Sequence, residues 1–160
     1  MDLNIKEIKA SQSAIKKNVI ALELGSRNWK QVPYNRLILI TKNSPKSLRN
    51  ALEKIAWYFK REKGYDFCQY HPDEKDEYRG YLLIDPFRDL KVIGGCCFAY
   101  REPSEINKEG HHMSWVWIHP YFRGKGILSE VWDYFKFEFG EFICEPPLSN
   151  AMQAFLKKVN

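Results

Sequence analysis

The sequence predicts an α/β chain of the α+β type, in which a mixed, mostly antiparallel sheet is flanked by helices. Three observations predict it. The chain has 160 residues, 44% of them hydrophobic and 15% aromatic, enough for one domain with a real core and far from a disordered composition. Short β-branched and aromatic runs alternate with longer stretches of helical periodicity in the order β-β-α-β-β-β-α-β-α. Near the end, strand, helix and strand follow one another closely enough to form a crossover between parallel neighbours.

The first strands are NVIALEL (18–24) and RLILIT (36–41), separated by a polar segment with Gly25, Asn28 and Pro33. After Asn43, Ser44 and Pro45, the segment SLRNALEKIAWYFKRE places Leu48, Leu52, Ile55, Ala56 and Phe59 at helical spacing and meets a stop at Lys63-Gly64. YDFCQYHPDEKDEYR (65–79) is a polar, acidic loop or lid. GYLLID and KVIGGCCFAYRE are strands joined by a turn at Asp85-Pro86-Phe87-Arg88-Asp89. The loop EPSEINKEG leads into the strand HHMSWVWIH. The next helix begins near Gly126, sets Ile127, Leu128, Val131, Trp132 and Phe135 on one stripe, and ends at Gly140. FICE is a short strand, and Ser149 or Asn150 caps a last helix whose inward residues are Ala151, Met152, Phe155, Leu156 and Val159. Trp115, Trp117, Trp132, Phe135, Phe137 and Phe139 read as core, with Trp117 beside a loop of interest. Repeats, low-complexity tracts and linkers are absent, so residues 1–160 read as a single domain: an N-terminal extension with an extra strand (1–34) and a core (35–160).

Charge and cysteine content narrow the function classes. Residues 1–64 carry a net charge of +9 and residues 65–160 one of −4, which together give the +5 of the chain. The basic half suits phosphates, nucleic acid or an acidic partner, and the acidic half suits a cationic one. No apolar stretch reaches the roughly 18 residues of a membrane span and MDLNIKEIKASQ lacks a signal-peptide core, so a cytoplasmic protein without a membrane role is expected. Cys96 and Cys97, adjacent in a strand, point to opposite faces and read as small core residues rather than a disulfide framework. Cys68-x-x-His71 supplies half a zinc site with no second pair at finger spacing, so no metal is expected.

The stretch HPYFRGKGILSEVW (119–132) runs from a strand through two glycines into a helix. Glycines allow close backbone approach and the first amides of a helix lack internal partners, so the arrangement suits an anion, above all a phosphate. It lacks the P-loop and dinucleotide patterns. Ile118-x-Pro120-x-x-Arg123-Gly124-Lys125-Gly126-Ile127 instead resembles the acyl-CoA pyrophosphate loop of the GCN5-related N-acetyltransferases, whose core is Arg/Gln-x-x-Gly-x-Gly/Ala. The family's order of elements covers about residues 36 to 159; family members usually continue through two further strands, which are lacking here. The extra N-terminal strand or a second copy in a homodimer is a candidate to cover that sheet edge. The resemblance implies that the amides of Arg123, Gly124, Gly126 and Leu128 hold the pyrophosphate of acetyl-CoA. Arg123 and Lys125 would add charge, while Trp117 and Ile118 would pair with the pantetheine amides. Leu128 stands where the family has Gly or Ala, and Asn150 and Ser149 lie within reach of CoA.

Transfer of an acetyl group to an amine needs a base, because a free lysine has a pKa of about 10.4. Glu145, ending FICE, is the first candidate; Cys144-Glu145-Pro146 with Ser149 and Phe155 also resembles the Ser-Asp-Pro stretch of the cohesion-establishment acetyltransferases. His111 and His112 are the next candidates, only one of which can face the site, and His119 belongs to the loop turn. The last-helix tyrosine that many family members use as acid falls on Leu156, beside Phe155, leaving Ser149, Tyr121, Cys144 or water as donors. The expected function is acetyl transfer from acetyl-CoA to a cationic amine acceptor, a protein lysine or N-terminus or a small polyamine or aminoglycoside, in a ternary complex. A catalytically weak CoA-binding or interaction protein and, less in keeping with the motif, a basic nucleic-acid-binding domain are the alternatives.

Overall fold

The structure, a computed structural model, describes residues 36–85 and 91–160. The strand expected at 18–24 and the turn residues 86–89 lie outside them.

Five strands form one sheet: β1 (Leu37–Ile40), β2 (Arg79–Asp85), β3 (Lys91–Arg101), β4 (Gly110–Ile118) and β5 (Ile143–Cys144), in the spatial order β1-β2-β3-β4-β5. The first three pairings are antiparallel and β4–β5 is parallel. The helices are α1 (Lys46–Lys63), α2 (Ile127–Phe139), which makes the crossover between β4 and β5, and α3 (Asn150–Val159). The mixed, mostly antiparallel sheet with flanking helices is therefore present as expected.

Strand alternation gives the sheet two apolar faces. Ile38, Ile40, Leu82, Cys97, Trp115 and Trp117 meet Leu48, Ala51, Leu52, Ile55 and Ala56 of α1 on one face. Leu37, Tyr81, Leu83, Cys96, Phe98 and Met113 meet Val131, Trp132, Phe135 and Phe139 of α2 on the other, where α3 adds Met152, Phe155, Leu156 and Val159. Cys96 and Cys97 do fall on opposite faces. Of the six aromatics read as core, Phe137 is the exception: it points outward from α2 and is 62% exposed.

Two local features set up the functional region. The β3–β4 register pairs Cys97 with Trp115 and Phe98 with Met113, so Ser114 is an extra residue, a β-bulge. Met113 and Trp115, two apart in sequence, consequently face opposite cores. The second feature is the shortness of β5. FICE contributes only Ile143 and Cys144 to the sheet; the Glu145 amide donates one further bond to the Met113 carbonyl (3.0 Å), and Pro146 and Pro147 have no N–H to continue the ladder. From Ser114 to Ile118, β4 runs on past its partner. At the start of α3, Ser149 is the cap, its Oγ accepting from the Met152 amide at 3.1 Å, and Asn150 is already helical.

β3 and β4 approach closely at Gly94, where a Cβ would lie 2.5 Å from the Trp117 carbonyl oxygen. Because that oxygen is backbone, no rotamer change relieves the clash. Gly94→Ala is expected to destabilise the fold by about 1–3 kcal/mol, read from its urea midpoint at unchanged m-value; a midpoint equal to wild type would show that the two strands can part there freely.

Candidate functional site

Where β4 and β5 part, a cavity of about 570 Å³ opens. One wall is β4 from Met113 to Ile118, and the facing wall is Cys144 to Ser149 with Met152 and Phe155 of α3. Gly124, Gly126 and the first residues of α2 close one end, and Phe59, Tyr65 and Phe67 bring an aromatic rim from α1 and the segment after it.

The exposed edge of β4 follows from its pairing. The His119 amide donates to the Ile93 carbonyl at 2.8 Å, which makes His119–Ile93 a hydrogen-bonded pair and, by antiparallel alternation, Trp117–Gly95 another. Trp117 thus turns its backbone toward β3. Val116 and Ile118 turn theirs toward the cleft, in keeping with the Ile118 carbonyl accepting from Arg123 Nε at 2.7 Å. Of the two residues expected to pair with the pantetheine amides, Ile118 turns its backbone to the cleft and Trp117 turns its backbone to β3, while Val116 faces the cleft beside Ile118. The Trp117 indole is buried on the α1 face, against Tyr58.

The glycine stretch begins with a single 3₁₀ turn, Pro120–Phe122, capped by His119, whose Nδ1 accepts from the Tyr121 amide at 3.0 Å. Gly124 and Gly126 have φ of 72° and 78°, left-handed values that favour glycine. Nothing lies within 4 Å of a Cβ at either position, so backbone conformation requires the glycines and the space beside them is open. Gly126 is the N-cap of α2, behind which the amides of Ile127, Leu128 and Ser129 have no acceptor inside the helix. Ile127 is buried, while the half-buried Leu128 packs against the α2-side core and also lines the cavity.

The two cations of this stretch are already engaged. Arg123 binds the carboxylate of Glu62 on α1 (Nη2 to Oε1 2.8 Å, to Oε2 2.9 Å) as well as the Ile118 carbonyl. Lys125 Nζ sits 3.8 Å over the Tyr121 ring.

At the other end of the cleft, Glu145 Oε1 is bound by Arg101 Nε at 2.9 Å and lies 3.8 Å from His112 Nδ1. Arg101 reaches Ser114 Oγ as well, at 3.4 Å. His112, 4% exposed, stands on the same sheet face as Trp115, whereas His111 faces Phe139 across the sheet. Ser149 and Cys144 line the cavity; burial pushes the Cys144 thiol up to about 11, so it keeps its proton at neutral pH. Phe155 and Leu156 pack into the α2-side core, with Phe155 4.8 Å from Trp132, and offer no proton. Asn150 is exposed at the helix start. Among the described residues no group of three or more His, Cys, Asp or Glu is placed to hold a metal, and no helix is long and apolar enough to cross a membrane.

No family model and no curated protein sequence matches the chain. Solved structures do match. The xEco2 acetyltransferase domain bound to a K105-CoA conjugate aligns with a TM-score of 0.58 at 16% identity, over 76% of this chain and 85% of that one. A ribosomal-protein-alanine N-acetyltransferase from Brucella melitensis biovar Abortus 2308 aligns at 0.51 and 12% identity, over 77% and 88%. An aminoglycoside acetyltransferase from an uncultured soil metagenomic sample, in complex with sisomicin, aligns at 0.50 and 13%, over 80% and 90%. The fold is that of the GCN5-related N-acetyltransferases.

Within this acetyltransferase fold, two residues that the sequence did not single out stand at the cleft. Arg101 ends β3 and Glu62 lies in the last turn of α1; each is the ion-pair partner of a candidate residue 44 or 61 positions away. No local pattern announces such pairs, because they depend on strand register and on where α1 lies across the sheet. His119 supplies a pH-dependent feature of the same loop. Burial, with the nearby Arg123 charge, holds its pKa below the ordinary 6.5. Its neutral Nδ1 is the cap of the 3₁₀ turn, so this contribution to stability is present above pH 6.5 and is lost as pH falls through the depressed folded value. Between pH 7.5 and 5 the wild type should lose more thermal stability than His119→Ala; equal losses would remove His119 from this role.

Proposed function

We propose that the chain is an acyl-CoA-dependent N-acyltransferase, moving an acetyl group from acetyl-CoA to a cationic amine. The observation that carries this reading is the continuity of the cleft: the free β4 edge at Val116 and Ile118 leads directly to the unpaired amides behind Gly124 and Gly126. An extended donor with an amide-bearing arm and a pyrophosphate matches that sequence of groups. The acetyltransferase fold of the solved structures supports it as well.

The α2 amides, with Gly124 and Gly126 opening the approach, receive the pyrophosphate. Val116 and Ile118 offer backbone donors and acceptors to the arm, for which Arg123 must release the Ile118 carbonyl. Nearer the parting of β4 and β5, the Val116 amide, turned to the cleft, stabilises the oxyanion that forms when the amine attacks the thioester carbonyl. Glu145 takes the proton from the acceptor ammonium, and the carbon–sulfur bond breaks as the tetrahedral adduct collapses. The adduct nitrogen gives up its second proton as the amide forms, and this proton passes through Ser149, Cys144 or water to the thiolate leaving group. Glu62 and Glu145 are the carboxylates of the cleft, each held by an arginine that a cationic acceptor must displace.

A CoA-binding interaction protein is the second reading. It is favoured by Arg101, which holds the candidate base in an ion pair, and by the lack of a proton donor at Phe155 and Leu156.

Calorimetric titration with acetyl-CoA tests both readings, since both require binding. Gly126→Trp should abolish it, by filling the groove and straining a φ of 78°; retained affinity would place the pyrophosphate elsewhere. Thiol release measured across a panel of amines then separates enzyme from binder. Glu145→Gln should lower kcat about 10²–10⁴-fold and leave acetyl-CoA affinity unchanged. Equal turnover by the variant would exclude Glu145 as base.

A further inference from the structure

The surroundings of His112 hold an unsatisfied atom. Its Nε2 lies 2.8 Å from the Lys108 carbonyl, and a carbonyl only accepts, so Nε2 carries the ring proton and a neutral Nδ1 carries a lone pair. Nδ1 is buried without a hydrogen-bond partner, and the nearest charged atom is Glu145 Oε1 at 3.8 Å. A lone pair beside a carboxylate oxygen leaves two acceptors facing each other with nothing between them. One added proton would satisfy both. On the other side of the same oxygen, Arg101 Nε at 2.9 Å, steadied by Ser114, fixes the carboxylate in place.

We propose that His112 Nδ1 receives, through Glu145, the proton taken from the acceptor amine, and that Arg101 and His112 are positioning residues for that carboxylate. The proposal rests on the transferase reading. Glu145 as carboxylate accepts a proton from R–NH₃⁺, leaving the neutral amine; Glu145–COOH then passes it to Nδ1, giving an imidazolium and restoring the carboxylate. The imidazolium forms an ion pair with Glu145 while keeping its Nε2–H bond to Lys108, and it returns the proton to solvent after turnover. The other groups on this face are Arg101 and Cys97 of β3, the Ser114 hydroxyl of β4, the mutually bonded Tyr70 and Tyr78 hydroxyls, and the more distant Glu74, whose charge acts on Cys97; burial pushes the Cys97 thiol up to about 12 and raises both tyrosines, so these three stay neutral beside Arg101, Glu145 and His112. His111 points to the opposite face and takes no part. The arrangement also explains how a base clamped by an arginine turns over: the proton does not have to remain on Glu145 against the Arg101 charge.

Nitrogen NMR of the imidazole rings, assigned by the signal missing in His112→Gln, tests the coupling without relying on activity. The expected result is an Nε2–H tautomer for His112, with an Nδ1 resonance that moves in Glu145→Gln because the facing carboxylate is lost. An Nδ1–H tautomer, or no response to Glu145→Gln, overturns the proposal. In kinetics, His112→Gln keeps a donor for Lys108 but has no site for the proton, and should lose one ionisation from the pH–rate profile with acetyl-CoA affinity unchanged. Arg101→Lys should retain more kcat than Arg101→Met. An active wild type whose profile survives in His112→Gln overturns the relay and leaves the transferase reading intact. A wild type inactive toward every amine removes the transferase reading and the relay with it, whether or not the NMR coupling is present.

Discussion

The Glu145 amide and the Met113 carbonyl make the last hydrogen bond between β5 and β4, and the rest of the cleft depends on where that bond falls. Before it the two strands are neighbours; beyond it Pro146 and Pro147 cannot donate, and β4 continues alone to Ile118. The bulge at Ser114 sits at the same level. It moves Trp115 and Trp117 onto the α1 face and leaves Val116 and Ile118 with their backbone groups turned to the gap. Parting strands and a bulge together turn a sheet, which normally uses its polar backbone internally, into a surface with free donors and acceptors in a sheltered place.

Charge in the cleft is paired rather than free. Arg123 is held by Glu62 at one end and Glu145 by Arg101 at the other. Both pairs are partly exposed, so they contribute little to stability. They also fix which groups a charged ligand must displace. An anion reaching the glycine turn competes with Glu62 for Arg123, and a cation reaching Glu145 competes with Arg101. The buried Nδ1 of His112 is the opposite case, an unpaired group where neither solvent nor a protein donor reaches it.

Much of the fold was legible because each element signals itself locally. Leu48, Leu52 and Ile55 at helical spacing face the sheet, Ser149 caps α3, and Gly126 with its positive φ starts α2, all through contacts within a few residues of sequence. Phe137 misled because helical spacing on a short aromatic-rich helix does not tell which aromatic turns outward. Trp117 misled for another reason. Which face and which edge a strand residue uses depends on register, and a one-residue bulge inverts both.

The sequence alone determined the order of elements, the mixed α+β sheet, and the glycine loop with its two left-handed positions, since these rest on apolar periodicity, capping chemistry and residues that only glycine suits. Tertiary structure alone decided that Val116 rather than Trp117 turns its backbone to the cleft, that Arg123 is bound to Glu62, and that Arg101, Glu145 and His112 meet at one carboxylate oxygen. The physical reason is that strand pairing and helix docking bring together residues tens of positions apart, and the register that selects them is a property of the whole sheet.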